Sequence, residues 1–159
     1  MPRPCRPQPA LEAAVPADTR AHETAAHAHD THAHEAAARA ALDAFLDALN
    51  SRDLTAWART LHYPHVRVHE GEVTVWEDEA GYVERSAPEL ALLVASGWSR
   101  SGWESVELSQ SSPDQVHALV RFARYDAAGE RTGSFDSVYV LTRRSERWGV
   151  LARIGFPAA

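Results

Sequence analysis

Lysine is absent from this chain of 159 residues, so all 16 of its basic residues are arginine. Against 22 acidic residues the formal net charge is −6. A nucleic-acid binder ordinarily presents a net basic face, and that class is set aside on this balance. The arginine-only usage, with the abundance of alanine, reads as a compositional bias of the source genome. A single cysteine, Cys5, excludes an intrachain disulfide and a cysteine-built metal site. Apolar runs are short. None approaches the roughly 18 residues of a membrane span, and Pro2, Pro4, Pro7, Pro9 and Pro16 interrupt the N-terminal stretch before a secretory core can form. A soluble, cytoplasmic protein is the expectation. A glycine-rich phosphate loop, a dinucleotide fingerprint and a nucleophile elbow are also missing, and no cofactor is expected.

The residues that are present divide near position 35. Residues 1–35 are rich in Pro, Ala and His and, up to about Ala21, show no hydrophobic period. Such a segment buries too little apolar surface to offset its ordering entropy, which predicts a disordered tail. Its histidines invite a metal reading, because imidazole is the commonest side-chain ligand for divalent transition metals. His27, His29, His32 and His34 are the candidates. Against them, the spacing matches no closed tetrahedral pattern and the neighbours supply no second shell.

Residues 36–159 carry the predicted domain. Ala38, Leu42, Phe45, Leu46 and Leu49 recur at helical spacing from about Glu35. Asp53 is placed to cap a second, short helix carrying Leu54, Trp57, Ala58 and Leu61, which Pro64 is expected to end. His65 to His69 and Glu72 to Trp76 are β-rich runs around a Glu70-Gly71 turn, a hairpin at the junction of the two halves of the chain. A third helical region follows, capped by Asp78 and expected to break near Arg85, where Ser86-Ala87-Pro88-Glu89 reads as a second capping box, with Gly97 just past its end. Four strand patterns complete the chain: Trp103 to Ser109, Gln115 to Tyr125, Phe135 to Thr142 and Trp148 to Phe156. Three helical segments packed on a curved, mostly antiparallel sheet make an α+β cone-shaped roll.

This order, with FLDALNSRDLTAWARTLHYPHVRV near its start and VHALVRFARYDAAGE and RWGVLAR near its end, resembles the nuclear transport factor 2-like superfamily, which shares the cystatin-like cone, and within it the SnoaL-like branch. The likeness runs from about Ala36 to Phe156, and its most specific part is the helix ending Ala48-Leu49-Asn50-Ser51-Arg52-Asp53 with Trp57 behind it. The resemblance implies a pocket between helices and sheet and, often, a homodimer. It leaves the chemistry open, since this fold serves isomerases, cyclases, dehydratases and ligand-binding modules.

The ketosteroid isomerases of this fold abstract a proton with a carboxylate at the end of the first strand, a position the resemblance matches to Glu70. Their oxyanion tyrosine falls on Phe45, which has no hydroxyl, and their second acid falls near Asp136. Glu70 is alternatively a turn residue, and Asp136 an ion-pair partner of Arg121 or Arg153. The parity used for Glu70 takes Val66 and Val68 as inward-facing, with His65, Arg67 and His69 on the other side. His62 and His65 are candidate general bases, or else lie on a solvated or dimer-facing surface. Phe45, Trp57, Tyr63, Trp76, Trp103, Tyr139 and Trp148 are expected to wall the pocket. If Trp148, Val150, Ala152 and Ile154 point inward, Arg153 faces out toward a dimer interface; the reverse parity makes it an anion anchor in the pocket. The expected function is therefore small-molecule binding without strong catalysis. The alternatives are a cofactor-independent isomerase, cyclase or dehydratase, and metal binding by the tail.

Overall fold

A computed structural model describes residues 17–157, with side chains described from residue 32 onward. The elements run α1 (Ala17–Ser51), α2 (Leu54–Arg59), β1 (Leu61–His69), β2 (Glu72–Trp76), α3 (Glu79–Ala95), β3 (Arg100–Ser112), β4 (Gln115–Tyr125), β5 (Arg131–Arg144) and β6 (Arg147–Gly155). The six strands form one sheet in the order β2-β1-β6-β5-β4-β3. β1–β2, β3–β4, β4–β5 and β5–β6 pair antiparallel through short turns, β1 lies parallel to β6, and α3 connects β2 at one edge to β3 at the other. The α+β architecture of helices on one face of a mostly antiparallel sheet is the one expected.

Local chemistry explains most element ends. Asp53 caps α2 by accepting from the Ala56 amide at 2.9 Å, and Asp78 caps α3 by accepting from the Gly81 amide at 2.8 Å. Glu70 and Gly71 both have positive φ, 50° and 83°, the requirement of a two-residue hairpin turn whose twist matches its strands. Ser145 and Glu146 make the same kind of turn between β5 and β6. Gly97 (φ 92°) follows Ser96 at the end of α3.

Three expected helix boundaries are different. α1 spans Ala17–Ser51 and so begins well before Glu35; of the tail predicted for residues 1–35, residues 1–16 lie outside the described residues. Pro64 does not end the second helix: α2 stops at Arg59, and Pro64 lies inside β1 on an exposed position. α3 does not break at Arg85. It is one helix with Pro88 inside, and the Ser86 expected to cap a new helix is buried on its packed side with Tyr82 and Leu90. The i, i+4, i+8 burial of those three holds the two halves in one phase, which outweighs the single backbone hydrogen bond that proline cannot donate.

The core lies between the helices and one face of the sheet. Leu42 and Phe45 of α1, Trp57 of α2 and Tyr82 of α3 pack with Val116, Tyr139, Leu141 and Val150, all nearly or fully buried. Each such large side chain contributes about 1.5–3 kcal/mol. Strand parity decides which residues join them. On β4 the alternation Val116, Ala118, Val120 faces the helices. On β1 the expectation is reversed: His65 is fully buried and shares the helix-facing side with Leu61, while Val66 and Val68 lie on the opposite face, paired with Ala152 and Ile154. On β6 a bulge changes parity within the strand. Val150 pairs with Leu141 and Ala152 with Val140, so Leu151 is the extra residue, and Arg153 falls beside Tyr139 on the helix-facing side. The series Trp148, Val150, Ala152, Ile154 therefore does not keep to one face.

Candidate functional site

Between the C-terminal half of α1, α3 and the open end of the sheet lies a cavity of about 250 Å³. Phe45, Trp57, Trp103, Phe122 and Tyr139 form its aromatic wall, and Leu46, Leu49, Leu90 and Leu93 its aliphatic side. Phe45 touches Trp57 (ring centroids 5.6 Å) and Tyr139 (5.5 Å), and Trp103 meets Tyr139 edge-on at 5.9 Å. Interlocked rings of this kind hold their shape without a ligand.

Three guanidinium groups, Arg67, Arg124 and Arg153, enter this apolar space. Arg67 and Arg153 are register partners on the parallel strands β1 and β6, so two like charges sit side by side on one face of the sheet. Arg153 lies over the rings of Trp57 (5.3 Å) and Phe45 (5.5 Å) and donates to the Tyr82 hydroxyl at 3.2 Å. Arg124 lies over Phe135 at 4.6 Å. Arg67 donates to Glu89 of α3 at 3.3 Å. Burial, and then the charge of Arg153, pulls Arg67 down from its ordinary range; burial, and then Arg67, does the same to Arg124. Among the described residues Glu89 is the only carboxylate in the cavity wall, and it is more than half exposed.

The wall is rich in donors and poor in acceptors. The indole N–H of Trp57 and Nε of Arg153 are buried with no partner among the described residues. Such groups are uncommon in folded proteins, and Trp76 Nε1, outside the cavity, has the same status. Burial raises the Tyr82 and Tyr139 phenols, partly opposed by the charge of Arg153 in each case, so both remain protonated.

The residues singled out by sequence separate cleanly. Phe45, Trp57, Trp103, Tyr139 and Arg153 converge on the cavity. Tyr63, Trp76 and Trp148 do not. Tyr63 is half-buried, its hydroxyl donating to the Ala58 carbonyl at 2.9 Å; Trp76 is buried in the core against Tyr82 (5.2 Å) and His65 (5.7 Å); and Trp148 packs at the edge of the core. None of the four candidate acids and bases lines the cavity. Glu70 is exposed in the hairpin turn, because the reversed parity of β1 and the left-handed turn carry it away from the helices. Asp136 lies on the face away from the helices and accepts from Arg121 in a two-pronged ion pair, both contacts 2.8 Å, which holds its carboxyl below the usual range. His62 is buried, its Nδ1 sharing a hydrogen bond of 2.8 Å with Thr142; burial, then Arg147 and Arg144, lowers it to about 4. His65 is fully buried, donating from Nδ1 to the Val150 carbonyl at 3.2 Å, and burial followed by Arg153 lowers it to about 3.

Among the described residues no group of three or more His, Cys, Asp or Glu side chains is arranged to hold a metal ion, and no helix is long and apolar enough to cross a membrane. Of the histidines considered as ligands, His32 is exposed and His34 half-buried, while the side chains of His27 and His29 lie outside the described residues.

Sequence reasoning missed Arg67 and Arg124 as pocket residues. Arg124 was legible, since it continues the inward series Val116, Ala118, Val120, Phe122 by one step. Arg67 was lost with the parity of β1.

Comparison with known proteins matches residues 34–155 to a family described as NTF2-like protein (DUF6841). Among solved structures, a protein of unknown function with a cystatin-like fold from Nostoc punctiforme aligns with a TM-score of 0.63 at 10% identity, over 79% of this chain and 90% of that one. A ketosteroid isomerase-like protein from Erwinia carotovora atroseptica aligns with a TM-score of 0.56 at 20% identity, over 76% and 93%. A Catenulispora acidiphila protein in complex with S-DNPA aligns with a TM-score of 0.61 at 14% identity, over 78% and 92%. At these identities the likeness shows the fold. A search of curated proteins finds no match.

Proposed function

We propose that this chain, which belongs to the family described as NTF2-like protein (DUF6841), binds a small organic anion with an apolar or aromatic body, and does so as a binding module. Within the superfamily we assign it to the SnoaL-like branch, on its helix ending Ala48 to Asp53 with Trp57 behind it. The observation that carries the binding reading is the register pair Arg67 and Arg153 beneath an aromatic wall. Guanidinium forks match carboxylate and phosphate oxygens, and the rings supply area for an apolar body. Proton abstraction next to a carbonyl is the lesser reading. It needs a base that reaches the ligand, and the carboxylate at the cavity, Glu89, is exposed and tied to Arg67.

The test is a thermal-shift and titration screen of aromatic and aliphatic carboxylates against matched neutral amides. Ligand that binds the native state alone raises stability by about 2.7 kcal/mol at one hundred times its dissociation constant. Stabilisation by carboxylates and not by their amides is the expected result. Equal response to both, or conversion of a bound carbonyl compound, would overturn the reading.

The homodimer is part of the same proposal, and its surface is the sheet face opposite the helices. Val73, Val75, Leu119 and Phe156 are all at least 40% exposed there. Sedimentation should find a dimer that Val73→Glu with Val75→Glu dissociates; a wild-type monomer would remove it.

A further inference from the structure

We propose that the ligand is a dianion: an apolar or aromatic body carrying two negative charges, as a dicarboxylate or a phosphomonoester does. The inference rests on the anion-binding reading and adds the charge of the ligand to it.

The first observation is the charge count at the cavity. Three guanidinium groups stand against one carboxylate among the described residues, which leaves two positive charges unmatched. Glu89 is committed to Arg67 at 3.3 Å. Arg153 has only neutral partners, the Tyr82 hydroxyl and the faces of Trp57 and Phe45. Arg124 has the face of Phe135. A ring face or a phenol solvates a guanidinium partly, and an uncompensated, half-buried charge is costly. One negative charge would leave the second guanidinium unmatched.

The second observation is the shape of the space. The main cavity adjoins a second hollow of about 180 Å³ toward the open end of the sheet, lined on its far side by His69 and Phe135. The two share a wall of Arg67, Phe122, Arg124, Tyr139 and Arg153. All three guanidinium groups therefore stand where the hollows meet, reachable from both sides. A ligand with its body against the aromatic wall and its charges at this waist meets Arg153 and Arg124 together. A second ring with a neutral end would place its apolar surface against charges that need oxygen ligands.

Three probes of similar bulk separate the possibilities: benzoate, isophthalate and phenyl phosphate, titrated at pH 8 into the full chain and followed by tryptophan fluorescence. Phosphate monoesters lose their second proton near pH 6, so phenyl phosphate is a dianion there. Isophthalate and phenyl phosphate are expected to bind roughly tenfold or more tighter than benzoate, one further charge-assisted contact being worth at least that factor. Arg124→Leu should shrink the preference to about threefold or less, the dianions losing more affinity than benzoate. Should that variant fail to fold, Glu89→Gln gives the converse arm, because freeing Arg67 should widen the preference. Benzoate binding as tightly as both dianions would overturn this inference and leave the anion-binding reading standing. Binding of none of the three would overturn both. A preference for one dianion only would identify the charged group, carboxylates or phosphate, that the waist accepts.

Discussion

Arg67 and Arg153 face each other across the parallel strand pair β1–β6, each the register partner of the other, and both enter the same aromatic cavity. Like charges directly opposite are destabilising in a sheet. Their combined position is therefore the point at which substitution should separate stability from binding.

Arg153→Leu is expected to reduce affinity for benzoate or isophthalate by tenfold or more while the melting temperature stays level or rises. Replacing an uncompensated buried charge by an apolar side chain of related size is often neutral or stabilising. Titration beside a thermal melt of the same preparation measures both. A fall in stability equal to that of a core truncation would mean that Arg153 serves the fold and not the ligand.

Glu89→Gln should raise affinity for anions several-fold, since Glu89 competes for the Arg67 guanidinium. Its side chain is 60% exposed, so the effect on stability should stay within about 1 kcal/mol. Weaker binding in this variant would show that Glu89 assists the ligand.

Acid should destabilise the protein through its buried histidines. His62 and His65 are held down to about 4 and about 3 by burial, whereas in the unfolded chain both titrate near 6.5. Between these values the unfolded state binds more protons, so stability is full above about pH 6.5 and is lost as pH falls toward 4 and 3. Melting temperatures measured from pH 7.5 to 4 should fall over this range, and less steeply in His65→Gln, which can still donate to the Val150 carbonyl. An unchanged slope in that variant would place the acid sensitivity elsewhere.

Gly149→Ala tests the packing beneath β1. An added Cβ would come within 3.1 Å of the buried His62 ring and 2.9 Å of an Arg147 nitrogen. Arg147 can move only by giving up its hydrogen bonds to the Arg59 and Leu61 carbonyls, and the histidine, enclosed and bonded to Thr142, cannot give way. A loss of about 1–3 kcal/mol in chemical denaturation is expected.

Glu70→Gln should change neither anion binding nor stability beyond about 0.5 kcal/mol, because the side chain is exposed in a turn. If a carbonyl substrate were found that wild type converts and this variant only binds, the proton-abstraction reading would return.

The helices, the hairpin and the four late strands were legible because caps, turn residues and hydrophobic period act locally. Asp53, Asp78, the Glu70-Gly71 turn and the alternation on β4 all depend on residues a few positions apart. The ring half of the pocket was legible for the same reason, with Phe45, Trp57, Trp103 and Tyr139 each on the apolar phase of its own element. Tyr63, Trp76 and Trp148 were indistinguishable from them by pattern. Whether a buried ring faces a cavity or fills the core depends on what stands opposite it.

The sequence by itself determined that this chain makes an α+β cone, since amphipathic period and turn chemistry are written residue by residue. Only the tertiary structure decided which polar residues enter the cone. Alternation along a strand has two phases of nearly equal merit when both faces carry apolar residues, as on β1, where Val66 and Val68 compete with Leu61 and His65. Contact with the helices selects the phase. On β6 the bulge at Leu151, visible only as a register shift against β5, exchanges the phases within one strand. That single extra residue turns Arg153 toward the helices and sets it beside Arg67.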